Sequence, residues 1–325
     1  MLHTKNLLAI TDLAPDELTM LLDTAASIKR DPSSHADTLR GASVILLFEK
    51  PSLRTRISFE VGVTRLGGHA IYMDHSGQRL GERETVADYA RNLERWVHAI
   101  VARVFTHGTV RELAQWSSVP VINGLCDLHH PCQALADMLT LREHKGDLRG
   151  LRLAYVGDGN NVCHSLMQAA AMCGTSATIV VPEGCEPDAT IVREAQTLAA
   201  ESGSTIAVTN DPAAVAGHDA IYTDVWISMG ADPADEAERK ARLARFAPYQ
   251  VNAELMSRAA PDAVFMHCLP AKRGLEVTDE VIESAASVVF DQAENRLHAQ
   301  NAVLIQLVET RGRRPAASAR QRAST

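Results

Sequence analysis

The sequence predicts an α/β protein built from two doubly wound parallel-sheet domains, with its active site in the cleft between them. Three observations lead there. Short runs rich in Val, Ile, Leu and Phe alternate with segments of helical periodicity along nearly the whole chain, the pattern of strand–helix–strand units. The alternation halts once, at Gly146-Asp147-Leu148-Arg149-Gly150, and then restarts. A chain of 325 residues is also long for one hydrophobic core and suggests two.

Each element has its own justification. Residues Met1 to Arg30 mix apolar positions with charged and polar ones, as in an amphipathic helix rather than a cleaved leader. Strands are expected at Val44–Phe48, His69–Met73, Ala99–Arg103 and Val119–Asn123, each a short apolar run. Helical spacing falls between them, over Ile57–Leu66, Thr85–Trp96 and Val110–Trp116, and a long helix follows from Pro131 to Lys145. The second half opens with a buried-strand pattern at Arg152–Val156, then Gly157-Asp158-Gly159-Asn160-Asn161 and a helix to Cys173. Further strands are expected at Ala177–Val181, Thr205–Val208, Ala220–Thr223, Ala263–His267 and Ser287–Phe290, before a last helix from Asn295 to Thr310.

Composition narrows the class. With 46% apolar and 22% charged residues the chain is globular, and no apolar run is long enough for a membrane span. A net charge of -8 argues against nucleic acid as a partner. Arg311, Arg313, Arg314, Arg320 and Arg322 run against that balance in a segment of small residues, so 311–325 reads as a disordered basic tail. Six scattered cysteines, without a Cys-x-x-Cys pair or zinc-like spacing, point to a reduced, cytoplasmic protein that holds no metal.

The polar motifs cluster where strands end. Pro51-Ser52-Leu53-Arg54-Thr55-Arg56 lies at a strand-to-helix turn, where free backbone N–H groups and the helix dipole favour an anion. Two arginines in that first turn oppose the dipole, a conflict that a bound phosphate would relieve. A plain N-capped helix with two solvated arginines explains the hexapeptide equally well. The same position after a strand recurs, however, at Arg103, His129-His130-Pro131-Cys132-Gln133, Asn160-Asn161, Asp224 to Gly230, His267-Cys268-Leu269-Pro270 and Glu294-Asn295-Arg296. In doubly wound sheets these positions converge on one cleft. Arg54, Arg56, Arg103 and Arg296 suit phosphate and a polarised carbonyl oxygen, to which His130 can also donate. Gln133 can accept from an amide, while Asp224 and Asn161 suit an amino acid's charged groups. Without a glycine-lysine phosphate loop or a carboxylate cluster for Mg²⁺, nucleotide-dependent phosphoryl transfer is disfavoured. Acyl transfer from a small acyl phosphate to an amine remains.

Together these residues resemble the carbamoyltransferases, and within them the ornithine carbamoyltransferases, from about residue 3 to 310. Ser52-Leu53-Arg54-Thr55-Arg56 is similar to the family's Ser-Thr-Arg-Thr-Arg loop, with Leu53 where Thr is usual. His130-Pro131-Cys132-Gln133 matches its His-Pro-x-Gln element, Asp224 to Gly230 its Asp-x-x-x-Ser-Met-Gly element, and His267 to Pro270 its His-Cys-Leu-Pro element. The resemblance implies transfer of a carbamoyl group from carbamoyl phosphate to the side-chain amine of L-ornithine, in arginine biosynthesis and without a cofactor. It implies that Ser52, Leu53, Arg54, Thr55, Arg103, His130, Gln133, Cys268, Leu269 and Arg296 hold carbamoyl phosphate. Asn161, Asp224, Ser228 and Met229 would hold ornithine, with Arg103, His130, Asp224 and Cys268 catalytic. Gln78 would reach a neighbouring subunit's phosphate, implying a homotrimer or a multiple of trimers. Residues 1–146, joined by the helix at about 295–310, would be the carbamoyl-phosphate domain, and 147–294 the ornithine domain.

Two rival readings have sequence markers against them. Gly157-x-Gly159 after a strand resembles a dinucleotide fingerprint, but Val162 stands where its third glycine belongs. Carbamoyltransferases that use aspartate, putrescine or an acylated ornithine fit Ser228-Met229-Gly230 less well.

Overall fold

The computed structural model describes residues 2–227 and 234–309. Its elements run in the expected alternation. In the first half these are α1 (Pro15–Arg30), β1 (Ser43–Phe48), α2 (Leu53–Arg65), β2 (His69–Asp74), α3 (Val86–Leu93), β3 (Ala99–Arg103), α4 (His107–Trp116), β4 (Val121–Leu125) and α5 (Pro131–Lys145). The second half contains β5 (Arg152–Val156), α6 (Asn161–Cys173), β6 (Ser176–Val180), α7 (Ala189–Ser202), β7 (Ile206–Thr209) and β8 (Ala220–Thr223). It closes with α8 (Glu236–Phe246), α9 (Ala253–Arg258), β9 (Val264–His267), α10 (Asp279–Ile282) and α11 (Val289–Leu304), then a π-helical turn over Ile305–Glu309.

Among the described residues, the nine strands fall into two parallel sheets, ordered β2-β1-β3-β4 and β7-β6-β5-β8-β9. Burial follows from the sequence: β1, β3, β5 and β8 are central, and their near-continuous apolar runs are covered by helices on both faces. Strand order reverses between β1 and β3 in one sheet and between β5 and β8 in the other. The loops leaving those strands therefore diverge and open a crevice at each sheet's C-terminal edge.

Helix starts are set by local chemistry. Ser52 caps α2, Thr85 caps α3, Thr106 caps α4 and Asn160 caps α6, each side chain accepting from backbone N–H groups one turn on. Pro131 occupies the first position of α5, where its missing N–H costs nothing. The Ser52 cap sets the start of α2 at Leu53, so Arg54 and Arg56 lie in its first turn, as the sequence suggested.

Three expected elements are displaced. The strand placed at Val119–Asn123 runs over Val121–Leu125, because Pro120 has no N–H for the ladder. Ser287–Phe290 is not a strand: Ser287 makes one isolated bridge to Phe265, and α11 begins at Val289. A four-residue apolar run reads equally as the first turn of a buried helix. Consequently Glu294-Asn295-Arg296 lies inside α11 rather than at a strand end, and the last helix starts before Asn295 and runs on into the π-turn over Ile305–Glu309. This helix packs back on α1, α2 and α5 of the first half. The basic tail 311–325 lies outside the described residues.

Candidate active site

The crevice is a cleft of about 640 Å³ between the two sheets. Its walls come from the loops after β1, β3, β4, β5, β8 and β9 and from one side chain of α11, Arg296. Of the predicted residues, Ser52, Leu53, Arg54, Arg103, His130, Asn161, Asp224, Cys268, Leu269 and Arg296 all line it.

Its dominant feature is unbalanced positive charge. Arg54, Arg103 and Arg296 converge on the cleft, and among the described residues none of the three forms an ion pair with a carboxylate. Arg103 is aimed by a bulge: β3 and β4 slip register between Ala102 and Arg103, so Arg103 faces Leu125 instead of Gly124. Its Nε donates to the Lys50 carbonyl at 3.2 Å and its Nη1 contacts Thr55 Oγ1 at 3.5 Å. Burial, followed by repulsion from Arg296 and Arg54, pulls the Arg103 guanidinium down to about 9, so it is still a cation at neutral pH. Arg296 is 3% exposed and donates to Thr55 Oγ1 at 2.7 Å and to Gln133 Oε1 at 2.9 Å, leaving its buried Nε without a partner.

Thr55 and Gln133 stand one layer back from the cleft. The Thr55 hydroxyl receives both Arg103 and Arg296, and its N–H is taken by Ser52 Oγ. Gln133 bonds Arg296 on one side and Asp137 Oδ1 on the other, at 2.8 Å. Leu53 is 73% exposed at the start of α2; its apolar side chain brings no donor, so this position offers an anion only its backbone N–H. Arg56 leaves the site altogether, paired with Glu60 at 3.0 Å and stacked 3.7 Å over the Tyr72 ring.

His130 caps the cleft floor immediately before α5. Its N–H donates to Ser165 Oγ at 2.8 Å, and its buried Nδ1 has no partner. Burial first, then Arg296 and Arg103, hold its pKa well below the usual value. The ring is therefore neutral and can donate a hydrogen bond without adding charge.

Across the cleft, Cys268 Sγ donates to Asp224 Oδ1 at 3.0 Å, and Asn160 Nδ2 donates to Asp224 Oδ2 at 2.8 Å. Burial and Asp224 drive the Cys268 thiol pKa well up, so it remains a thiol. Leu269 sits at φ 57°, an unusual conformation for this residue type, and its N–H is tied to His267 Nδ1 at 2.8 Å. His267 Nε2 then faces Glu276 Oε1 at 3.4 Å, a fully buried contact too poorly aligned for a hydrogen bond. Asp224, His267 and Cys268 also bring three potential metal-ligand atoms within 4.8 Å of one another, in the same cleft wall.

Asn161 Nδ2 is bonded to the Cys126 carbonyl at 2.6 Å and ties the two halves together. Gln78 is exposed in the turn after β2 and does not reach this cleft. Ser228 and Met229 lie outside the described residues. Sequence reasoning passed over Lys50, Asp127 and Asp158, which also line the cleft, and gave Asn160, named only within its strand-end motif, no role. Asp158 and Asn160 follow β5 directly, so their place after a strand was the available signal. Asp158 is paired with Arg242 at 2.8 Å, yet burial raises it to about 6. Gly159 explains the incomplete glycine fingerprint. A Cβ there would lie 2.3 Å from Pro187 N, so the glycine serves loop packing.

Comparison with known proteins agrees with this geometry. Residues 5–143 match the family model described as the carbamoyl-P binding domain of aspartate/ornithine carbamoyltransferase, and residues 149–307 match its Asp/Orn binding domain. An ornithine carbamoyltransferase from Shewanella oneidensis is 53% identical over 303 residues, 93% of this chain and 99% of that protein. The structure of ornithine carbamoyltransferase from Pyrococcus furiosus superposes with a TM-score of 0.89 at 50% identity, covering 93% of this chain and 96% of that one. That from Thermus thermophilus gives 0.84 at 46% identity, covering 94% and 99%. With family models spanning both halves and relatives matched almost end to end, this chain belongs to the aspartate/ornithine carbamoyltransferase family.

Proposed function

We propose that this enzyme transfers the carbamoyl group of carbamoyl phosphate to the side-chain amine of L-ornithine, giving L-citrulline and phosphate. The observation that carries the reading is the set of three guanidiniums, Arg54, Arg103 and Arg296, converging on one cleft, none of them ion-paired to a carboxylate among the described residues. An acyl phosphate supplies the missing negative charge. Its phosphate sits at the start of α2, on the free N–H groups after Ser52 and on Arg54, while its carbonyl oxygen faces Arg103 and neutral His130. As the amine attacks, charge grows on that oxygen and these two donors bind it more tightly in the tetrahedral state. The new C–N bond forms, the C–O bond to phosphate breaks, and phosphate leaves against Arg54, taking up the proton that the attacking nitrogen gives off. Gln133, one layer back, keeps the second lone pair of its Oε1 for the carbamoyl nitrogen, beside the bond it accepts from Arg296.

The amine must arrive neutral, although an alkylammonium has a pKa of about 10.4. A closed cleft lowers it by desolvation, and Asp224 with Cys268 orients it. Asn161, Asp224, Ser228 and Met229 hold the α-amino and α-carboxylate groups. Residues 1–146, joined by α11 from about residue 295 on, form the carbamoyl-phosphate half and 147–294 the ornithine half. Exposed Gln78 serves a neighbouring subunit of a trimer, and the enzyme works in the cytoplasm in arginine biosynthesis.

Citrulline formation from carbamoyl phosphate and ornithine, with putrescine and aspartate as competing amines, tests this reading. Turnover with ornithine at least 100-fold above either control is expected. A preference for putrescine or aspartate would overturn the substrate assignment.

A further inference from the structure

Asp137 is fully buried in α5, one helical turn beyond Gln133, and it touches no wall of the cleft. A buried carboxyl in an apolar helix interior is costly unless its oxygens are satisfied. Here Oδ1 accepts from two side-chain amides, Gln133 Nε2 at 2.8 Å and Gln292 Nε2 at 2.7 Å. The Gln292 Oε1 atom accepts in turn from the backbone N–H of His267 at 2.9 Å. Tyr222 of β8 faces the same carboxyl, but neither its hydroxyl nor Asp137 Oδ2 completes a well-formed hydrogen bond. Burial raises the Asp137 pKa to about 7 against the pull of these donors and of Arg296.

Two consequences follow from the bonding pattern. Gln133 has its Oε1 on Arg296 and its Nε2 on Asp137, so its amide has one permitted orientation. Gln292 sits in α11, yet it grips the end of β9 immediately before Cys268 and Leu269. One carboxyl thus sets Gln133 on the carbamoyl side and, through Gln292, the segment carrying Cys268 on the amine side.

We propose that Asp137 is a positioning residue of the transfer reaction, which orients Gln133 directly and couples the two walls of the cleft through Gln292. The proposal rests on the carbamoyl-transfer reading, and its experiment separates the two. Citrulline formation by the unmodified enzyme is measured first; its absence overturns both.

With activity present, kcat/KM for carbamoyl phosphate is compared for Asp137→Ala, Gln133→Ala and the double variant. Asp137→Ala is expected to lose at least 10-fold alone but less than twofold when Gln133 is already Ala, since it acts through that residue. Asp137→Asn, which keeps an oxygen for both amides, is expected to restore most of the loss. Equal losses in both backgrounds, or no recovery with Asn, would overturn the proposal while leaving the enzyme's reaction intact. Gln292→Leu preserves the Gln133–Asp137 bond and provides a second measurement should Asp137→Ala fail to fold. It is expected to raise KM for ornithine at least fivefold with KM for carbamoyl phosphate changed less than twofold. The opposite split would remove the coupling role.

Discussion

Replacing Thr55 with Val removes one oxygen at nearly constant volume, and the structure states what that oxygen does. It accepts from Arg296 Nη2 at 2.7 Å, from the Ser52 hydroxyl at 3.1 Å and from Arg103 Nη1 at a marginal 3.5 Å. Of the two bonds from arginine only the first is strong, and hydrogen bonds to a charged group contribute about 1.5–3 kcal/mol. The hydroxyl is 1% exposed with its residue, so water will not substitute for it. Arg296 would then lose one of its two anchors and drift from the position that Gln133 alone cannot define. At about 1.4 kcal/mol per factor of ten, kcat/KM for carbamoyl phosphate should fall roughly 10- to 100-fold at saturating ornithine. Thr55→Ser, which keeps the oxygen, should stay within about threefold of the parent enzyme by the same reasoning. Steady-state kinetics on all three proteins, with melting temperatures to confirm folding, is the assay. A Val variant as active as the Ser variant would refute the view that Thr55 acts as the anchor of the arginines.

Three other outcomes follow from single contacts. Cys268→Ala removes the thiol donor to Asp224 and should raise KM for ornithine about 10-fold while leaving carbamoyl-phosphate binding nearly unchanged, measured by kinetics and calorimetry; unaltered ornithine kinetics would discard the orienting role. His129 is buried, and burial followed by His107 and His164 lowers its pKa to about 3. The folded form therefore binds fewer protons than the unfolded one below about pH 6.5, and stability falls on acidification by about 1.4 kcal/mol per pH unit from this group. Urea unfolding between pH 7 and 5 should show a shallower acid loss for His129→Gln, whereas an identical slope would contradict it. Gly159→Ala places a Cβ against the backbone at Pro187 and should cost about 1–3 kcal/mol or more in unfolding free energy, whereas a neutral effect would mean that the loop yields freely.

The sequence by itself determined the alternation of strands and helices, because apolar periodicity and capping residues act locally. It placed β1, β3, β5 and β8 within a residue of where they lie, and Ser52 as a cap was visible in its own hexapeptide. Of the ten predicted ligand-binding residues found in the cleft, nine are there for a topological reason: residues after parallel strands share one sheet edge. Side-chain chemistry did not separate Arg54 from Arg56, though the family resemblance named only Arg54; packing shows that Arg56 has Glu60 and Tyr72 as partners while Arg54 faces the cleft. Arg296 was placed at a strand end, yet it reaches the site from within α11, a helix that packs across the first half. The roles of Thr55 and Asp137 likewise depend on contacts between residues more than a hundred positions apart. Such pairings have no local signature, because hydrogen bonds between side chains are fixed by which helices meet, and α11 meets α1, α2 and α5 only in the tertiary fold.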